Sequence, residues 1–387
     1  MEEDIRQLVQ AIHDNPTRAV IVTAGAGAQA LSNLLGVAGA TRTLLEALVP
    51  YSQASFDEFL GQTPNKYVAG KTARLLAGRA FTRARWLEAV EADEMPVVGL
   101  ACTATIVTDR PKRGEHRAFI ATWQPERLLC DYIHLQKGDR DRAGEESLVS
   151  RILLNALARA CGLDQELALP LVEGDHLTEQ KSDFAKAAGR LHRRQIDLFG
   201  VDADGRLCPR GVVPSAILSG SFNPLHDGHL DLAKTAAKIL GQPVAFECAA
   251  ANVDKPDLPP AVLLDRMAQF AGCYTVFASN APTYVEKAGL YPGVTFIIGH
   301  DTAERVLQPR YYQDSYDNML AALARIREQG CRFLVAGRVD DDGAFRDMSH
   351  LEIPPAFAGL FQAIPGDQFR KDVSSTQLRQ TGQRGSR

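Results

Sequence analysis

Apolar residues recur at Ile5, Leu8, Val9 and Ile12, one face of a helix that Asn15-Pro16 ends. The run Ala19 to Thr23 then predicts a buried strand, and the small residues from Ala24 to Ala30 lead into a second helical pattern. Val97 to Ala101 and Arg117 to Thr122 are further strand candidates, and Glu145 to Cys161 is helical. From about Leu163 to Pro214 the pattern suits a sheet poorly. A charged helical piece, Glu179 to Leu198, precedes the turn-rich Val201-Asp202-Ala203-Asp204-Gly205-Arg206. After Pro214 the alternation restarts with Ala216 to Ser219, Pro243 to Glu247, Tyr274 to Ala278, Val294 to Ile298 and Cys331 to Val335. Short apolar runs separated by helical patterns predict a parallel sheet covered on both sides. The expected fold class is α/β, in two domains: residues 1–165, a helical linker over 166–212, and residues 213–387. An added helix and hairpin within one larger domain is the alternative for the middle stretch.

A chain of 387 residues can bury two cores of ordinary size. Its 45% hydrophobic and 23% charged residues place it with soluble globular proteins. A formal net charge of -4 argues against a nucleic-acid backbone as main partner, since such domains usually carry a basic face. The start, Met1-Glu2-Glu3-Asp4, is acidic, and no apolar run approaches the roughly 18 residues of a span, so a cytoplasmic protein without membrane contact is expected. Self-association as a homo-oligomer stays open. The 7 cysteines are scattered and form no C-x-x-C pair, which points to reduced thiols rather than a disulfide framework or a zinc site. No metal site is expected in the protein itself.

The most informative stretch is Ala216-Ile-Leu-Ser-Gly-Ser-Phe-Asn-Pro-Leu-His-Asp-Gly-His-Leu230, a strand, a loop and a helix start. Gly220 allows a close backbone approach, and the new helix offers unpaired N–H groups and a positive dipole end to an anion. Ser221, Phe222 and Asn223 form the loop. His226 and His229, three apart, share one face of the first turn, where two imidazoles can donate hydrogen bonds to phosphate oxygens. Gly228 between them leaves room for a ligand. Near the other end, Val373-Ser374-Ser375-Thr376-Gln377-Leu378-Arg379 puts three hydroxyl residues before a helical turn, with a guanidinium on the same side. Either motif alone reads as incidental: two histidines at a helix start, or an ordinary cap.

Together, in this order and about 150 residues apart, they resemble the nucleotidyltransferase superfamily with H-x-G-H and I-S-S-T-x-x-R signatures. The G-S-F-N-P-x-H-x-G-H form is similar to nicotinamide and nicotinate mononucleotide adenylyltransferases. The resemblance implies a Rossmann-like parallel sheet and transfer of the AMP part of ATP to a phosphorylated small molecule, with release of pyrophosphate. It implies catalytic roles for His226, His229 and Arg379, and a grip on the β- and γ-phosphates by Ser374, Ser375 and Thr376. Mg²⁺ would enter with ATP. Lys255, after the second strand, would face the phosphates; a solvated lysine is the alternative. Phe296-Ile-Ile-Gly-His-Asp301 looks like the family's strand ending in Gly-x-Asp, placing Gly299 and Asp301 near the nucleotides, and Arg338 follows a similar strand end. These positions lie at the carboxyl ends of strands, where open α/β sheets bind ligands. Transfer from ATP or CTP to another phosphorylated small molecule stays open, as does a mononucleotide-binding protein without turnover.

In the first half, Gly25-Ala-Gly27 after a strand is a weak form of the dinucleotide fingerprint, without an acidic residue at the end of a convincing second strand. The strand and small-residue loop at 19–30, Leu34-Leu-Gly-Val-Ala-Gly39, Val49-Pro-Tyr-Ser-Gln-Ala-Ser-Phe56 with Leu60-Gly61, and Gly99-Leu-Ala101 resemble the C-terminal domain family of competence/damage-inducible protein A. That family includes nicotinamide mononucleotide amidohydrolases, so both halves point towards pyridine mononucleotides and NAD biosynthesis. The family's serine and lysine align with Ala24 and Phe56, leaving only Tyr51 and Ser52. A hydroxyl nucleophile needs its oxygen and a base; a degenerate domain is expected.

Overall fold

A computed structural model describes residues 1–91, 95–110, 113–209, 211–251, 256–339 and 343–370. The first half contains α1 (Glu3–His13), β1 (Arg18–Ala24), α2 (Ala28–Leu35), α3 (Ala40–Thr43), β2 (Leu44–Leu48), α4 (Gln53–Leu60) and α5 (Gly70–Glu91). It continues with β3 (Val97–Thr105), β4 (His116–Trp123), β5 (Arg127–Leu135), α6 (Arg142–Ala160), β6 (His176–Asp183) and α7 (Phe184–His192). Its sheet runs β2-β1-β3-β4-β5-β6. The β2-β1-β3 part is parallel and the remainder antiparallel. Helices α1, α2 and α6 close one core against this sheet, through Leu8, Leu34 and Leu153 among others.

The second half contains β7 (Leu198–Val201), β8 (Ala216–Gly220), α8 (Asp227–Leu240), β9 (Ala245–Ala249), α9 (Pro260–Ala268), β10 (Val276–Ser279) and α10 (Tyr284–Leu290). After these come β11 (Thr295–Gly299), α11 (His300–Val306), α12 (Tyr316–Glu328), β12 (Arg332–Ala336), the short pair β13 (Arg338–Val339) and β14 (Phe345–Arg346), and β15 (Phe361–Ala363). The sheet order is β15-β12-β11-β8-β9-β10-β7. All of its pairings are parallel except β7 on β10. Crossing from β8 outward in both directions places the ends of β8 and β11 side by side, the arrangement that opens a ligand crevice.

The five runs expected as strands are β8 to β12, with β9 and β10 each starting two residues later than expected. The linker expected to be helical over 166–212 needs correction, because it supplies β6 to the first sheet and β7 to the second. The sequence His176-Leu-Thr-Glu-Gln-Lys-Ser-Asp183 is largely exposed and polar on both faces, so an edge strand held by backbone pairing shows no apolar alternation. Only α7 keeps part of the expected helix.

Helix α5 ties the halves together. Despite Lys71, Arg74, Arg79, Arg83, Arg85 and Glu88, it buries Ala73, Leu76, Ala77, Ala80, Phe81 and Ala84 in a core that continues into Phe222, Phe246 and Phe270 of the second half. The charges on this helix end in specific partners. Arg74 pairs with Asp204 at 2.7 Å, Arg83 with Glu46 at 2.9 Å and Arg18 with Glu88 at 3.0 Å. The other face of the second sheet closes on α10, α11 and α12 through Tyr291, Phe296 and Phe333. The described cysteines are all free. Among the described residues, no helix is long and apolar enough to cross a membrane.

Candidate active site

Strand β8 ends at Gly220, and after five intervening residues the chain enters α8 through His226 at its N-cap. A Cβ on Gly220 would lie 2.9 Å from the ring of Phe222, so this glycine makes room for a neighbour within the loop as well as for any ligand. Phe222 adopts φ 42°, a left-handed conformation uncommon for an aromatic residue, and is 1% exposed. Its ring lies edge-on to Phe246, Phe270 and His229, with centroids 5.5, 5.2 and 5.1 Å away. These apolar contacts hold the strained residue in place, while Ser221 and Asn223 on either side are exposed.

The two histidines stack, with centroids 3.7 Å apart and planes at 26°. The main-chain N–H of His226 donates to Nδ1 of His229 at 3.3 Å, so Nδ1 is the acceptor and the ring proton stands on Nε2. Burial, reinforced by the neighbouring His226, pushes the His229 pKa down to about 3. At neutral pH His229 is therefore a neutral imidazole with an Nε2–H donor. His226 and Gly228 are both buried.

Beside this loop, β11 ends at Gly299, where a Cβ would meet nothing within 4 Å. Asp301 follows in the first turn of α11 and pairs with Arg338, just beyond the end of β12. Both side chains remain roughly half exposed, so the pair is not buried in the core. Thus Gly220, Ser221, Phe222, Asn223, His226, Gly228, His229, Gly299, Asp301 and Arg338 gather at one carboxyl edge of the sheet, on β8, β11, β12 and the segments that follow them. Lys255, Ser374, Ser375, Thr376 and Arg379 lie outside the described residues. Among the described residues no group of three or more His, Cys, Asp or Glu could hold a metal ion.

Three features escaped the sequence reading. Gln269 donates through Nε2 to the Phe222 carbonyl at 2.9 Å and accepts from the Leu225 N–H at 2.9 Å. Arg266 donates to the Ser221 carbonyl at 3.3 Å. Both stand at the end of α9, and no local pattern distinguishes them from surface polar residues. Below the loop, Glu247 accepts from Ser279 at 2.5 Å and pairs with Lys287, all three buried. The signal available for Glu247 was a carboxylate inside an otherwise apolar strand.

The first half places its expected residues differently. The N–H groups of Gly27 and Gln29 at the start of α2 donate to the Glu146 carboxylate, each at 3.0 Å. The N-terminus that a dinucleotide would need is thus filled by the protein's own anion. Ala24 ends β1, and Phe56 is 4% exposed, packed edge-on against Tyr67. Of the two retained residues, Tyr51 is 77% exposed and Ser52 caps α4 by accepting from Ser55 N–H at 3.2 Å.

Comparison with known proteins supplies the context for the two halves. The family described as cytidylyltransferase-like matches residues 217–381. No curated protein matches the chain. Among solved structures, the competence/damage inducible protein CihA from Agrobacterium tumefaciens is 17% identical, with 43% of this chain and 98% of that one covered and a TM-score of 0.32. A competence-damaged protein (CinA) superfamily protein from Escherichia coli is 16% identical, with 41% and 92% covered and a TM-score of 0.33. One from Klebsiella pneumoniae 700603 is 11% identical, with 41% and 96% covered and a TM-score of 0.30. Residues 217–381, with the histidine loop at their start, are a cytidylyltransferase-like domain, and this part of the chain is a nucleotidyltransferase.

Proposed function

We propose that the second half transfers the AMP portion of ATP to the phosphate of nicotinamide or nicotinate mononucleotide, forming a dinucleotide and releasing pyrophosphate. The observation that carries this reading is the stacked His226–His229 pair on the G-S-F-N-P-x-H-x-G-H loop, with a neutral Nε2–H donor at the sheet edge. An oxygen of the mononucleotide phosphate forms a bond to the α-phosphorus while the bond to the bridging oxygen breaks. That oxygen leaves with the electron pair as pyrophosphate. No covalent intermediate on the protein is needed, so the protein's work is placement and stabilisation of growing negative charge. His229 donates to an oxygen on which that charge grows, and His226 stacks beside it at the same turn. Ser374, Ser375, Thr376, Arg379 and Lys255 are proposed to hold the β- and γ-phosphates of MgATP. Arg338, oriented by Asp301, is proposed to meet the mononucleotide. The proposed setting is a cytoplasmic step of NAD formation.

The test is pyrophosphate release by the full chain with ATP, Mg²⁺ and either mononucleotide, beside His229→Ala. Release that requires the mononucleotide and is lost in the variant supports the reading. The match to a cytidylyltransferase-like family favours a second arm with CTP. Release with CTP and another phosphorylated acceptor, and none with pyridine mononucleotides, would replace the proposal.

A further inference from the structure

The loop from Ser221 to Leu225 must hold Phe222 at φ 42° and deliver His226 and His229 to the sheet edge. Its main chain is held from outside by α9. Gln269 uses both ends of its carboxamide on this loop, on Phe222 O and Leu225 N–H, and its Nε2 also donates to Arg266 O at 3.1 Å. A glutamate there would turn an acceptor towards two carbonyl oxygens, so the amide itself is required. Gln269 opens the turn that continues through Phe270, Gly272 and Cys273.

That turn is fixed in its own right by the first half. A Cβ on Gly78 of α5 would lie 2.4 Å from the Gly272 nitrogen, and one on Gly272, at φ +72°, would lie 2.4 Å from the Arg79 nitrogen. The two backbones touch where no side chain fits. Around this contact, Arg79 Nη1 reaches Cys273 Sγ at 2.8 Å, Arg85 pairs with Asp265 at 2.6 Å, and Gly272 N–H donates to Ala203 O at 3.1 Å. Segment 265–273 is therefore clamped between α5 on one side and the histidine loop on the other.

We infer that Gln269 is a positioning residue for the transferase loop, and that the N-terminal half sets its position through the Gly78–Gly272 contact. The kinetic consequence rests on the proposed transferase reading; the mechanical coupling does not. A methyl group on Gly78 would drive Gly272 back by about 1 Å to reach ordinary contact, and a misplacement of that size can lower a rate by about a hundredfold.

The experiment combines hydrogen exchange over residues 221–230 with pyrophosphate-release kinetics, on the full chain and its Gln269→Ala, Gln269→Glu, Gly78→Ala and Arg79→Met variants. Arg42→Ala, which breaks an exposed pair with Asp14 elsewhere in the first half, is the control. Expected are faster exchange at Leu225 in the test variants and kcat lowered about 10- to 100-fold in Gln269→Ala and Gly78→Ala. KM for ATP should change far less, and the control should match the parent. Unchanged exchange in the folded Gln269→Ala and Gly78→Ala chains overturns the inference. Should Gly78→Ala not fold, Arg79→Met decides in its place, because it removes the Cys273 contact without adding bulk. A parent chain with no transferase activity removes the functional reading, while the exchange data still decide the coupling.

Discussion

Acidification should weaken the histidine loop in a way that one substitution can reveal. The His229 pKa falls from 6.5 to about 3 in the folded protein because burial disfavours the charged ring and His226 lies against it. The unfolded chain therefore binds a proton between these values that the folded chain refuses. Stability from this group is fully present above about pH 6.5 and is lost as pH falls towards 3. At pH 7.5 the effect is negligible; at pH 5 the unfolded state gains about 2 kcal/mol, since about 1.5 pH units at 1.36 kcal/mol each separate pH 5 from the unfolded pKa. Urea midpoints at pH 7.5, 6 and 5 for the parent and His229→Asn measure it. The asparagine oxygen can accept the His226 N–H in place of Nδ1 and does not titrate. The parent should lose about 2 kcal/mol more than the variant over this range. Parallel losses would refute the neutral, partly buried imidazole and with it the fixed Nε2–H donor. Added pyrophosphate should narrow the gap, because an anion facing the ring favours the charged form.

Gly220→Ala should destabilise by about 1–3 kcal/mol, as the new methyl meets the Phe222 ring, and should reduce pyrophosphate release more than thermal stability alone explains. Lys287→Met should cost about 3–5 kcal/mol in urea because Glu247 is left charged and buried, whereas Lys287→Met with Glu247→Leu should recover most of that loss. Arg338→Ala should raise KM for the phosphorylated acceptor with little change in stability, since the pair with Asp301 is half exposed. Glu146→Ala should cost about 1–3 kcal/mol by leaving the α2 N–H groups unpaired, with pyrophosphate release per folded molecule unchanged.

The second domain was legible because its parallel strands are buried on both faces and so appear as apolar runs; Ala216 to Ser219 and Val294 to Ile298 fall within or beside observed strands. The histidine loop was legible because glycine, proline and two histidines at fixed spacing are rare together. What stayed hidden depended on partners distant in sequence. Helix α5 was not singled out from the sequence; its arginines meet Asp204, Glu46 and Asp265 from other segments. The polar strand β6 carries no apolar alternation, because an edge needs only backbone pairing. Gln269 became meaningful only when its amide was seen spanning a loop 44 residues away.

The glycine-bearing turns before α2 and before α8 each lead from a strand into a helix, and their electrostatics separate their roles. At the start of α2, Glu146 already accepts from Gly27 and Gln29. A phosphate placed there would have to displace that carboxylate or face it, and two like unit charges about 4 Å apart repel by about 4 kcal/mol near a protein surface. Closure by an internal anion excludes the dinucleotide reading of that turn. At the start of α8 the groups are instead two stacked imidazoles, one of them neutral with its proton on the nitrogen that the main-chain N–H donor does not occupy. A neutral donor carries little desolvation penalty before the nucleotide arrives, and gains interaction strength as charge develops on a phosphate oxygen. The proposed chemistry belongs to the second turn. The first half contributes through what α5 does to segment 265–273, which makes it a scaffold for the loop even without a reaction of its own.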